Sequence, residues 1–174
     1  MESIVSDVRL QTNVPFEMRD GTLLRADVYK PEHAGKYPVI VVRTPYNKER
    51  FDQGLLCPLA FARAGYAVVV QDIRGRYASD GAWERHRMFE VEASDGYDTV
   101  EQIALQPWSN GKVGLAGGSY LTAMQWITAM TNPPHLKAFT PYIGDIGTNI
   151  APPPETGAVS FYSAANALPL TAAD

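Results

Sequence analysis

Two uninterrupted apolar runs, Val39-Ile40-Val41-Val42 and Ala67-Val68-Val69-Val70, constrain this chain more than any other feature. A strand with one wet face alternates apolar and polar residues. A run with no polar member suits a strand covered on both faces, as in a parallel sheet. The stretch between them, roughly 54–64, reads as a crossover helix ended by Gly65, with Pro58 either in its first turn or marking its true start. Ahead of both runs, half-polar extended segments at 8–14 and 23–29 are joined by Met18-Arg19-Asp20-Gly21, and Asp-Gly is a hairpin signal. Beyond them, a helix is expected over about 90–106, with Val91, Tyr97, Val100 and Ile103 near helical spacing. A short buried strand at 113–116 follows, then a helix at about 120–130 stopped by Asn132-Pro133-Pro134, then a strand at 136–143. Hairpin first, then alternating strand and helix, predicts a mostly parallel, doubly wound α/β sheet.

With 174 residues, 45% of them hydrophobic, the chain is long enough for one domain with a real core. That core is expected over 1–150. After Gly147 the character changes: Pro152-Pro153-Pro154 and an alanine- and serine-rich tail make 151–174 a linker or the opening of another subdomain. A net charge of −4 gives no reason to expect nucleic acid or an anionic membrane as partner. Cys57 is the only cysteine, which excludes an intramolecular disulfide and a thiolate metal cluster. The N-terminus lacks a basic-then-apolar signal, and no apolar run approaches the ~20 residues of a membrane span. The expectation is a cytoplasmic protein.

Gly117-Gly118-Ser119-Tyr120 lies between the 113–116 strand and the helix that follows. A serine on a glycine-lined strand-to-helix turn is the layout of a nucleophile elbow, where the bent backbone projects the hydroxyl above the sheet edge. The chemistry implied is acyl transfer through a covalent serine intermediate. The same residues also suit a small side chain in a tight turn, or a helix N-cap. Tyr46 lies just after the 39–42 strand, at the sheet end where the elbow should open, and its phenol there suits either an oxyanion donor or simple packing over the loop. Asp72 and Arg74 read as braces for the loop after a buried strand. Asp95 and Asp98 read as helix-dipole partners, and Arg85-His86-Arg87 as a solvated loop.

Several blocks occur in order: Met18-Arg19-Asp20-Gly21, Arg43-Thr44-Pro45-Tyr46, Gly65 through Gly75, Asp95-Gly96-Tyr97-Asp98-Thr99-Val100 and Gly117-Gly118-Ser119-Tyr120. Together they resemble the N-terminal part of the cocaine esterase and X-prolyl dipeptidyl peptidase family of α/β hydrolases, which includes α-amino acid ester hydrolases and glutaryl cephalosporin acylases. The resemblance covers nearly everything from Val14 to about Ile146. It implies an α/β-hydrolase fold, N-terminal part, with Ser119 as nucleophile. The Tyr46 hydroxyl and the Tyr120 backbone N–H would form the oxyanion hole, and no cofactor would be needed. Its motif is Gly-x-Ser-Tyr-x-Gly, so the departure falls at Thr122, where a hydroxyl and a β-branch are expected to press on the facing strand.

The general base is the missing piece. In this fold the order is serine, acid, histidine, and only His135 follows Ser119. It lies beyond a helix of about twelve residues, which rises about 18 Å, and so is expected at the opposite sheet edge in a packing role. Asp145 should emerge at the Ser119 edge as a pocket residue. His86 is also expected at that edge but breaks the chain order. By resemblance, the acid and histidine come from strands beyond this chain, and 151–174 is the first part of a helical cap, which makes the chain an apparently truncated core. Three functions follow: a serine hydrolase acting on small ester, amide or X-prolyl peptide substrates; a non-catalytic fragment or binding module; or one half of a split hydrolase. An incomplete sheet would expose an edge strand and favour homo-oligomers or aggregation.

Overall fold

The computed structural model describes residues 2–5, 7–53, 57–84 and 87–143. Among them is a seven-stranded sheet: β1 (Glu2–Val5), β2 (Val8–Glu17), β3 (Leu23–Pro31), β4 (Tyr37–Thr44), β5 (Ala67–Asp72), β6 (Ser109–Gly118) and β7 (Leu136–Tyr142). Spatial order is β1-β2-β3-β5-β4-β6-β7. The first three strands form an antiparallel meander that meets β5 antiparallel, while β5, β4, β6 and β7 run parallel. Among the described residues three α-helices cover the sheet, α1 (Pro58–Arg63), α2 (Met88–Ala104) and α3 (Tyr120–Met130), and a 3-10 helix follows β4 at Lys48–Gln53. No helix among the described residues is long and apolar enough to cross a membrane.

The unbroken apolar runs become the central parallel pair, and alternation sends their side chains to two different cores. Val39, Val41, Ala67 and Val69 face one core, closed by Val100, Ile103 and Ala104 of α2. Val42, Val68 and Val70 face the other, closed by Ala62 of α1 together with Val8, Ala116 and Leu121. Val68, Val69 and Val70 have no accessible surface, and each such valine contributes about 1.5–3 kcal/mol relative to exposure. A polar residue anywhere in either run would face one core or the other, which is why none is there.

The sheet is the α/β-hydrolase type expected from the sequence, with adjusted boundaries. Helix α1 starts at Pro58, its first turn, where a missing N–H costs nothing. Helix α2 begins and ends two residues before the expected limits, with Leu105 as C-cap. Strand β6 runs well outside 113–116 because Tyr37 of β4 also pairs with polar Ser109. Strand β1 carries no pattern that singles it out. The expected linker or cap at 151–174 lies outside the described residues.

Because β5 and β6 flank β4 on opposite sides, the chain reverses its direction of winding there. The loops after β4 and β6 diverge, and in open α/β sheets such a crevice at the carboxyl ends of the strands is where ligands bind.

Candidate active site

Ser119 stands at that crevice. It links the end of β6 to the first turn of α3 with φ 58° and ψ −124°, a conformation that L-residues rarely adopt and one that costs about 1–3 kcal/mol. Gly117, at φ 137°, and Gly118 make the approach possible: a Cβ at Gly117 would lie 2.6 Å from Leu121, and one at Gly118 2.6 Å from the Tyr142 ring. Ser119 occupies the N-cap position, yet its side chain makes no capping hydrogen bond. The residue is exposed. Its N–H instead donates to the carbonyls of Tyr142 (3.2 Å) and Ile143 (3.0 Å), which holds the turn against the end of β7.

Tyr46 follows β4 at the same edge. Its ring meets that of Tyr120 edge-on, centroids 6.3 Å apart, so the two aromatic residues singled out from the sequence are brought together beside the serine. The Tyr46 loop is tightly held. Its N–H donates to Thr44 Oγ1 (3.0 Å), and Asn47 turns the chain at φ 79°. Lys48 then drives its side chain into the protein, only 1% exposed, between Asp27 (3.4 Å) and Asp72 (4.0 Å). Asp72 also accepts the Lys48 N–H (2.8 Å) and the Ala78 N–H (3.3 Å). Burial nevertheless pushes its carboxyl above the usual range, those N–H groups and the Lys48 charge opposing the rise.

Beneath Tyr120 lies a buried polar group that the sequence did not announce. Arg43 and Glu92 meet at 2.8 Å as an ion pair without hydrogen-bond alignment, and Arg43 also donates to Gln71 Oε1 (3.0 Å) and to the Glu92 carbonyl (3.1 Å). Burial raises the Glu92 carboxyl above its ordinary value, with Arg43 opposing. The Tyr120 phenol, buried over this pair, is likewise raised by burial and then by the Glu92 charge; the Trp83 indole opposes the rise without an aligned hydrogen bond. That phenol is therefore held in its protonated form.

The remaining sequence candidates divide clearly. Asp95 and Asp98 lie in the middle of α2, too far from its start to serve the dipole; they pair instead with Arg74 (2.7 Å) and Arg19 (2.7 Å). Arg74 also grips Asp20 (2.7 Å), so it does brace the loop after β5. Thr122 is fully buried without pressing β7 away: its hydroxyl hydrogen-bonds the strand. His135 precedes β7 and contacts Glu101 through Nδ1 (2.7 Å). It packs near Gly111, about eight strand residues, or ~26 Å, from the elbow. His86 and Asp145 lie outside the described residues. Among the described residues no three His, Cys, Asp or Glu side chains converge to hold a metal ion. A cleft of about 330 Å³ lined by Arg9, Lys30, Tyr37 and Trp108 opens at the far end of the sheet, away from Ser119.

The family described as X-Pro dipeptidyl-peptidase (S15 family) matches residues 20–151. Cocaine esterase of Rhodococcus sp. (strain MB1 Bresler) is 40% identical over 146 residues, covering 81% of this chain and 25% of that protein. A CocE/NonD family hydrolase structure from Staphylococcus aureus is similar with TM-score 0.66 and 32% identity, over 76% of this chain and 27% of that one. An α-amino acid ester hydrolase structure gives TM-score 0.67 and 31% identity, over 84% and 28%. The chain thus spans about a quarter of the length of the relatives it matches.

Proposed function

The chain belongs to the X-Pro dipeptidyl-peptidase (S15) family of hydrolases, and on that premise we propose that it carries the nucleophile and oxyanion hole of a serine acyl hydrolase. Ser119 Oγ attacks the carbonyl carbon of a small ester or amide, X-prolyl peptide bonds among the amides. The Tyr46 hydroxyl and the Tyr120 backbone N–H stabilise the oxyanion that forms. Collapse expels the alcohol or amine and leaves an acyl-Ser119, which water then cleaves. The base that takes the serine proton, and the acid that orients it, lie outside the described residues. The domain reading goes with this: 1–150 as the N-terminal part of the hydrolase core, 151–174 as a linker or the start of a helical cap.

The observation that carries the proposal is the exposed Ser119 held at φ 58° between β6 and α3 with no capping bond to occupy its side chain. A fluorophosphonate probe should label the peptide containing Ser119, as read by mass spectrometry, and Ser119→Ala should abolish the adduct. Labelling that survives the substitution would overturn the nucleophile assignment. Tyr46→Phe should slow labelling by about 10²–10³-fold, the usual effect of losing one oxyanion donor.

One observation favours a second reading for the isolated 174 residues. Both described histidines lie at the wrong edge: His135 ahead of β7, and His33 after β3, which runs antiparallel to β5. On this reading the chain alone is a non-catalytic module or half of a split hydrolase. Turnover of an activated aryl ester by the purified chain, lost in Ser119→Ala, would reject it.

A further inference from the structure

We propose that Thr122 is a positioning residue of the elbow: its buried hydroxyl fastens the first turn of α3 to the end of β7 and so sets where Ser119 and the Tyr120 N–H point. This rests on the reading of Ser119 as nucleophile.

The resemblance expects glycine at this place, a residue that would let the helix and strand backbones approach with nothing between them. Thr122 has no accessible surface, and its hydroxyl makes the connection instead. Oγ1 donates to the Tyr142 carbonyl (2.7 Å) and accepts the Tyr142 N–H (3.1 Å). A hydroxyl has one proton and two lone pairs. The short contact to Tyr142 takes that proton, which leaves the longer approach to the Gly117 carbonyl (3.2 Å) as a secondary one. The Tyr142 carbonyl also receives the Ser119 N–H (3.2 Å). One oxygen of β7 is therefore the shared acceptor for the nucleophile's own backbone and for the threonine three residues on.

Gln125 repeats the device one turn along the same helix. Its Oε1 accepts the Thr140 N–H (2.9 Å), and its Nε2 donates to the Gly117 carbonyl (2.6 Å). Gln125 is 2% exposed. These two side chains form a polar seam along α3, and they join that helix to both strands that flank the elbow. A backbone held in a rare conformation persists only when its surroundings over-determine it. Here the surroundings include side-chain hydrogen bonds as well as close packing. Because the seam ends at Ser119, a shift of β7 against α3 transmits directly to the serine, and misplacement by 1 Å costs up to about 10²-fold in rate.

The test compares Thr122→Val, which keeps the shape and removes the hydroxyl, with Thr122→Ser, which keeps the hydroxyl. Thr122→Ala stands in for valine if that variant does not fold. Two readouts are taken at a temperature where every variant is fully folded: hydrogen exchange at the Ser119 and Tyr142 amides, and the rate of fluorophosphonate labelling. Valine should speed exchange at both amides by about tenfold or more and slow labelling by about 10–100-fold, with serine restoring both to within about threefold. Unchanged exchange in the valine variant would overturn the bridge, and faster exchange with unchanged labelling would overturn the positioning role. If wild-type protein takes no probe while the amides respond as expected, the proposed hydrolase function of this chain fails, the non-catalytic reading is favoured, and the hold of Thr122 on the elbow stands.

Discussion

At the scale of single residues, the site edge is built on charges placed where water cannot reach them. Lys48 is the clearest case. A lone ammonium at 1% exposure would be prohibitively costly, but Asp27 and Asp72 converge on it from β3 and β5, and its own N–H fixes Asp72. Lys48→Met keeps the stem and removes the charge, leaving two buried carboxylates facing each other. The expected loss is about 3–5 kcal/mol, as for breaking other buried pairs, read as a lower urea midpoint with an unchanged m-value. Such residues were hard to recognise in the sequence. Lys48 sits in Asn47-Lys48-Glu49-Arg50, which has the look of a solvated loop, and Arg43 ends an apolar run as strand-end cations often do. The placement of Ser119 and Tyr46 at one sheet edge was legible because each follows a short apolar segment of the kind that a parallel sheet buries. The Arg43–Glu92 pair was not, because it joins residues that only the folded sheet brings together.

At the scale of elements, the pattern of strands and helices was legible wherever burial dictates composition and obscure wherever hydrogen bonding does. The valine runs announced β4 and β5 because both faces are apolar. The polar start of β6 and all of β1 are held by ladder bonds that leave no such mark. The seam between α3 and β7 belongs to the second kind: Thr122, Gln125 and Thr128 recur every third residue along α3, and that spacing of polar residues was the signal to follow. The contact of α2 with α3 offers a sharp test of packing. A Cβ added at Gly96 would sit 2.0 Å from Thr128 Oγ1 and 3.0 Å from its Cβ, so the two helices approach across a glycine. Gly96→Ala should destabilise by about 1–3 kcal/mol, the usual cost of overpacking. Adding Thr128→Ala should recover part of that loss by removing the closer atom. Additive losses in a double-mutant cycle by thermal melting would show that the helices do not meet there.

At the scale of the whole molecule, ion pairs join the antiparallel end of the sheet to the parallel end, and they set how stability responds to pH. The turn between β2 and β3 carries Arg19 and Asp20; Arg19 binds Asp98 of α2, and Asp20 binds Arg74 after β5. The Arg74 guanidinium and then the Thr22 N–H hold the Asp20 carboxyl far below its ordinary 3.8. Burial works against Asp98, but the Arg19 hydrogen bonds outweigh it and keep that carboxyl low as well. Both depressed groups add stability that is fully present above pH 3.8 and is lost as pH falls through their folded values. Glu92 and Asp72 act in the opposite sense. Their pKa values are raised by burial, so the folded state binds protons more readily than the unfolded chain, and stability declines as pH rises from about their ordinary values of 4.5 and 3.8 toward the folded ones. Unfolding free energy should therefore rise with pH on the acid side and fall again above it. Asp98→Asn should flatten the acid limb, because asparagine has no carboxyl to ionise beside Arg19. Glu92→Gln should flatten the descending limb even though it leaves Arg43 without its counter-charge and lowers stability throughout. Urea titrations from pH 2.5 to 7 separate the two effects, since slope reports protons and height reports the pair. An acid limb of equal slope in wild type and Asp98→Asn would mean that the Arg19 contact does not hold that carboxyl low.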